Sequence, residues 1–176
     1  MAPIFEKITI IGMGLIGSSI ALATRRAELA TSICGCDAGP DIEERVTKLS
    51  LVDKFEVDPG RAVADADLVI MAVPVGAMAD LSAKIVPHME QGAILSDTGS
   101  TKRSVVRDVG PHVSDAIHWV PSHPLAGTEH SGPEAGMADL FDGRYWLVLP
   151  LDAPEEVVAK FESFVTGLGS VSERMD

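Results

Sequence analysis

The chain has 176 residues, 46% hydrophobic and 23% charged, which suits one ordinary globular domain with a real core and excludes a disordered chain. Its net charge of −12 and pI of about 4.7 oppose phosphate backbones and anionic lipid, and no run of Lys or Arg exceeds the pair Arg25-Arg26. Nucleic acid and membrane surfaces are excluded as partners on that balance.

The first predicted element is a strand at residues 7–11, followed by a helix over 15–27. The mostly apolar or small stretch 8–23 is too short to span a bilayer, holds three glycines and follows no basic region. It is therefore read as neither a signal peptide nor a membrane segment, and the protein as cytoplasmic. Between strand and helix lies Gly12-Met13-Gly14-Leu15-Ile16-Gly17. In a dinucleotide-binding turn the first glycine permits the tight bend, the second lets the backbone approach a pyrophosphate and the third lets helix and strand pack closely. The pyrophosphate would sit on the free N–H groups that open the helix, at Leu15 and Ile16.

A second strand is predicted at 31–36 and ends at Asp37, 20 residues beyond Gly17. At that distance a carboxylate can accept hydrogen bonds from the adenosine ribose hydroxyls; the alternative is a solvated turn acid or helix cap. No arginine follows immediately, so NAD is preferred to NADP, with Arg25, Arg26 and Arg45 as the cations able to reverse that preference. Cys34 and Cys36, the only cysteines, are read as small strand residues and not as a disulfide or metal pair.

Further apolar runs at 68–73, 93–96, 118–120 and 145–149 read as strands, and 41–49, 75–87, 102–109 and 154–168 as helices; a loop and short strand close the chain. Several runs are continuous, as in strands buried on both faces. The alternation predicts a single α/β domain over 1–176, a doubly wound, Rossmann-type, mostly parallel sheet with helices on both faces. Ligands in such folds bind beyond the carboxyl ends of the strands. Three segments lie there: Val73-Pro74-Val75-Gly76, Ser96 to Lys102, and Pro121 to Gly132. Val73 and Pro74 join the cofactor-binding set. Ser100 or Thr101 can simply cap the next helix, and His123 can simply be held by backbone bonds, but an imidazole beside a nicotinamide is suited to take a proton from a carbinol. His118, His123 and His130 fit no usual zinc spacing, so no metal is expected. His88 and His112 fall at helix C-terminal ends and receive no catalytic role.

Gly12-Met13-Gly14-Leu15-Ile16-Gly17-Ser18-Ser19, Asp97-Thr98-Gly99-Ser100-Thr101-Lys102 and His123-Pro124-Leu125-Ala126-Gly127-Thr128-Glu129-His130-Ser131-Gly132 together resemble the prephenate/arogenate dehydrogenase family. The resemblance runs along essentially the whole chain and implies NAD-dependent oxidative decarboxylation in tyrosine biosynthesis. Hydride leaves the ring carbon bearing the hydroxyl, carbon dioxide leaves the opposite carbon, and aromatisation drives the reaction. His123 matches the catalytic histidine, Ser100 the serine that orients it and the hydroxyl, and Thr128 and Glu129 loop residues at the substrate end. Thr98 and Thr101 stand where relatives often carry valine. The resemblance also implies a helical domain, absent from these 176 residues, that forms a homodimer and completes the substrate pocket. The chain alone is therefore expected to bind NAD with little turnover. Competing readings are another dehydrogenase of small hydroxy or imino acids, a methyltransferase and a non-catalytic NAD-binding module.

Overall fold

The computed structural model describes residues 2–176. In chain order the strands are β1 (Phe5–Ile11), β2 (Ala30–Cys36), β3 (Lys54–Glu56), β4 (Leu68–Met71), β5 (Ile94–Asp97), β6 (His118–Trp119), β7 (Ser122–Pro124), β8 (Tyr145–Val148) and β9 (Val171–Arg174). The helices are α1 (Leu15–Arg26), α2 (Ile42–Lys48), α3 (Pro59–Ala62), α4 (Val75–Ile85), α5 (Lys102–Val109) and α6 (Glu155–Gly167). Six strands form a parallel sheet in the order β3-β2-β1-β4-β5-β6. The order reverses between β1 and β4, and the crevice for a ligand in an open α/β sheet opens at such a point.

Side-chain alternation explains the continuous apolar runs. Along β4, Leu68 and Ile70 enter one core with Phe161, Phe164 and Trp146, while Val69 and Met71 enter the other with Met78, Val105 and Val109. Both faces are therefore covered, and a strand with period 2 must be apolar at every position. Helix α6 supplies one cover by burying Val158, Phe161, Phe164 and Val165, a spacing that lines one helical face. Its first turn carries Glu155 and Glu156, which favour the positive end of the helix dipole. Cys34 and Cys36 lie two apart on β2, share a face and are buried as free thiols. Burial pushes the Cys36 thiol up to about 12, which makes it a packing residue rather than a nucleophile.

Five elements depart from the sequence reading. β3 and α3 were not anticipated, because a three-residue edge strand and a four-residue helix are too short to show a period. The segment 121–132, read as a loop, begins with β7, which carries His123 and pairs antiparallel with β8. β9 then adds to β8 in parallel, completing a small second sheet, β7-β8-β9. β4 stops at Met71 rather than continuing to Val73, and α4 gives way to a 3₁₀ turn over Val86–His88.

The hand-over from the large sheet to the small one occurs at Pro121. His118 and Val120 donate their N–H groups to Ala93 and Leu95 in the parallel ladder. Pro121 directs its nitrogen away from β5, on the open side of the edge strand β6, where the lack of an N–H costs no ladder bond. At the next rung the Ser122 N–H goes to the Asp97 side chain at 3.3 Å, and the Ser122 hydroxyl takes over the Asp97 backbone carbonyl at 2.7 Å. The chain turns away there, and His123 emerges at the carboxyl end of the sheet.

Candidate functional site

The glycine turn is built from backbone sterics. Gly12 has φ +98, and a Cβ there would collide with the Ala72 carbonyl oxygen; one on Gly17 would collide with the Gly12 carbonyl oxygen. A Cβ on Gly14, by contrast, would meet nothing within 4 Å. Two glycines are thus required by the fold and one faces open space. Gly14 is the N-cap of α1 and supplies no side-chain cap, so the first N–H groups of the helix, at Leu15 and Ile16, stand without intrahelical partners and face that space. An anionic group fits both the geometry and the dipole.

Asp37 holds the turn from the end of β2. One carboxylate oxygen accepts the Met13 N–H and the other the Gly39 N–H, each at 2.8 Å. Each oxygen keeps a further lone pair, so the half-buried carboxylate can accept from a ligand hydroxyl as well. A cavity of about 450 Å³ lies beside it, lined by Gly12, Asp37, Val73, Pro74, Asp80 and Lys84 among others. The sequence-predicted cofactor residues Gly12, Asp37, Val73 and Pro74 therefore converge on one wall. The three arginines able to change the charge balance here are each engaged with a carboxylate: Arg25 with Asp53, Arg26 with Asp142 and Arg45 with Glu134.

The second half of the site is built from side chains. His123 is half-buried on β7, and its Nδ1 lies 3.2 Å from the Thr98 carbonyl oxygen. A carbonyl only accepts, so this bond needs the proton on Nδ1, and in the neutral ring it leaves the lone pair on Nε2. That neutral tautomer is the one suited to accept a proton at Nε2. The orienting group is the Thr98 backbone, a residue to which the sequence reading gave no role. Ser100 is exposed in the loop before α5 and makes no hydrogen bond to His123 among the described residues. Thr101 occupies the N-cap of α5 with no side-chain cap bond.

Beneath His123 lies a buried polar cluster. Ser96 and Ser122 are wholly buried with their hydroxyls 3.0 Å apart; Ser96 donates to Val120 O at 2.6 Å, and Trp146 Nε1 donates to Ser122 Oγ at 2.9 Å. Asp97 is wholly buried and accepts the Gly99 N–H at 2.8 Å, the Ser122 N–H and the Lys102 ammonium. Burial pushes the Asp97 carboxyl up and the Lys102 ammonium down, and each charge opposes the shift of the other. These partners escaped sequence reasoning because they come together only in the fold. The Asp-x-Gly spelling at 97–99, typical of a side chain closing a turn, was the one local signal.

Past β7 the chain folds back over α1 and α2. Met137 donates its N–H to Ser19 Oγ at 3.0 Å, and Arg45 grips Glu134 through Nε at 2.7 Å. Thr128 accepts the His130 N–H, and Glu129, 85% exposed, lies 3.5 Å from His130. Both sit on the exposed loop beyond His123. Among the described residues no group of three or more His, Cys, Asp or Glu is placed to hold a metal, and no helix is long and apolar enough to cross a membrane.

Residues 20–174 match the family model described as prephenate dehydrogenase, nucleotide-binding domain. A cyclohexadienyl dehydrogenase of Zymomonas mobilis is 38% identical over 167 residues, covering 94% of this chain and 57% of the relative. A prephenate dehydrogenase of Lactococcus lactis is 33% identical over 145 residues, covering 81% of this chain and 40% of the relative. The chain thus spans about half the length of these relatives. Among solved structures, prephenate dehydrogenase from A. aeolicus in complex with hydroxyphenyl propionate and NAD+ superposes with a TM-score of 0.87 at 25% identity, covering 97% of this chain and 60% of that one. Synechocystis arogenate dehydrogenase gives 0.87 at 25% identity, covering 96% and 59%. Because that family model matches residues 20–174 and the Zymomonas relative is 38% identical over 94% of the chain, the chain belongs to the prephenate dehydrogenase family, whose nucleotide-binding domain it carries.

Proposed function

We propose that the protein oxidatively decarboxylates prephenate or arogenate with NAD, forming 4-hydroxyphenylpyruvate or tyrosine, and that this chain supplies the cofactor site and the proton acceptor. The observation that carries the reading is His123, held by the Thr98 carbonyl with its Nε2 lone pair free at the carboxyl end of the sheet. The names of the relatives support the same chemistry.

In this reading Leu15 and Ile16 bind the pyrophosphate through their N–H groups, Gly14 leaves room for it, Asp37 accepts from the adenosine ribose, and Val73 and Pro74 form the apolar wall. NAD, when bound, takes up the hydride. His123 Nε2 accepts the proton of the substrate hydroxyl as carbonyl character develops. Ser100 orients that hydroxyl, and Thr128 and Glu129 meet the substrate from the loop. The helical region that the family resemblance implies would close the substrate pocket and pair two protomers.

NAD is favoured over NADP because Asp37 repels a 2′-phosphate and Arg25, Arg26 and Arg45 are already paired. Calorimetric titration of this chain with each cofactor tests the first half of the reading: NAD is expected to bind more tightly, and equal or tighter binding of NADP sinks the preference. Assaying the full-length enzyme with prephenate and arogenate tests the second half, and oxidation of neither removes the proposed reaction.

A further inference from the structure

The reaction proposed above requires His123 to keep its proton on Nδ1, and the only hydrogen-bond partner of that nitrogen among the described residues is the Thr98 carbonyl. That carbonyl belongs to the turn between β5 and α5: the Thr98 N–H still reaches the Met71 carbonyl of β4 at 3.1 Å, but the peptide that follows, which carries the Thr98 carbonyl, lies beyond the end of β5. The Asp97 carboxylate closes the turn. One oxygen takes the Gly99 N–H at 2.8 Å and the Lys102 ammonium; the other takes the N–H of Ser122, the residue before His123, at 3.3 Å. A single side chain therefore ties the segment that bears the orienting carbonyl to the strand that bears the histidine.

A turn-closing aspartate normally sits at the surface, where it costs little. Asp97 is wholly buried, a costly place for a carboxylate, and it is sustained there by Lys102, whose side chain is only 14% exposed. The neighbouring bonds repeat the same link: the Ser122 hydroxyl holds the Asp97 carbonyl, and Trp146 holds the Ser122 hydroxyl. The two Asp97–Ser122 bonds fix the distance between residues 97–99 and 122–123, and Trp146 braces Ser122 from β8.

We propose that Asp97 is a positioning residue for His123: by clamping Gly99, Lys102 and Ser122 it directs the Thr98 carbonyl at Nδ1 and so sets which ring nitrogen is free to accept a proton. The proposal rests on the reading of His123 as the base, but the geometry it predicts is measurable without turnover.

The test is long-range ¹H–¹⁵N correlation on the histidine-labelled chain at about pH 9, where an ordinary imidazole is neutral, with H123Q used to assign the signal. Wild-type His123 is expected to be predominantly Nδ1-protonated. Asp97→Asn is expected to shift the ratio of the two tautomers at least several-fold toward Nε2–H, and in the full-length enzyme to lower kcat while leaving KM for NAD unchanged. Gly99→Ala provides a second route if D97N fails to fold, because the added Cβ presses on the Asp97 oxygen at 3.0 Å, and on Val105 and Val75 methyl groups at 2.9 and 3.0 Å, without changing the carboxylate's charge; it is expected to move the ratio in the same direction. A wild-type ring protonated mainly on Nε2, or a folded D97N or G99A with the wild-type ratio, overturns the proposal. Should the ratio shift as expected while H123Q retains full turnover, the assignment of the base fails and the hold of Asp97 on the ring stands.

Discussion

The two halves of the site are made in different ways. In the cofactor half, Gly12 and Gly17 shape the turn because no side chain fits beside the Ala72 and Gly12 carbonyls, and Asp37 ties it down from the next strand. Its working groups are backbone N–H groups and empty space. In the histidine half, the working group is a side chain whose orientation depends on Asp97, Ser122 and Trp146, brought together from β5, β7 and β8. Gly17 meets Gly12 within one turn, and Gly12 meets Ala72 across the single β1–β4 pairing, whereas the clamp needs the two sheets already assembled. The first half is therefore set within one sheet, and the second depends on buried bonds between two.

The largest effect that separates the halves is on His123. His123→Asn is expected to lower kcat of the full-length enzyme by about 10²–10⁴-fold with NAD affinity of this chain near wild type. Steady-state kinetics beside calorimetric titration check this, and a loss of only two- or threefold would remove His123 from the mechanism.

The glycines then separate fold from ligand within the cofactor half. Gly17→Ala places a methyl group against the Gly12 carbonyl and should destabilise the chain by about 1–3 kcal/mol or more, read from denaturant unfolding. Gly14→Ala meets nothing and should leave the unfolding midpoint near wild type, yet weaken NAD by about tenfold, equivalent to about 1.4 kcal/mol. A G14A chain with undiminished affinity would place the pyrophosphate elsewhere. Asp37→Ser should narrow the NAD-to-NADP affinity ratio by about tenfold, on the order of 1.4 kcal/mol of lost discrimination; an unchanged ratio would leave Asp37 with its turn-holding role alone.

The smallest effect concerns the bridge between the halves, Arg45–Glu134, which pins the loop beyond His123 to α2. The Arg45 guanidinium holds the Glu134 carboxyl down to about 2. A depressed carboxylate contributes above its unfolded-state range, and the contribution is lost as pH falls through the folded value. The pin should therefore be intact at neutral pH and weaken between the ordinary glutamate range and about pH 2, with little change in global stability because both side chains are about half exposed. Hydrogen exchange of residues 125–137 followed against pH checks this, and Glu134→Gln should show the loosened pattern already at pH 7.

Much of this was legible before the fold. The glycine spacing, Asp37 and the buried runs identify the sheet and its nucleotide end because each depends on neighbours within one strand-turn-helix unit. Val73 and Pro74 were legible for a related reason: in a parallel sheet the residue after a strand lies at the ligand edge whatever the details. β7 was not, because its segment 121–124 begins and ends with proline, at Pro121 and Pro124, and reads as loop until β8 offers a partner. Nor was the role of Thr98, since a backbone carbonyl has no residue signature.

The amino-acid sequence by itself determined the main alternation of strands and helices, though not β3, α3 or β7, together with the glycine spacing that opens α1 and the histidine loop that resembles the family, since periodicity and motif spacing are local. Only the tertiary structure decided that His123 is oriented by Thr98, that a buried Asp97 clamps both segments, and that Arg45 closes on Glu134. Those bonds join residues 25 and 89 positions apart, and no local pattern encodes a partner that arrives only when the sheets have packed.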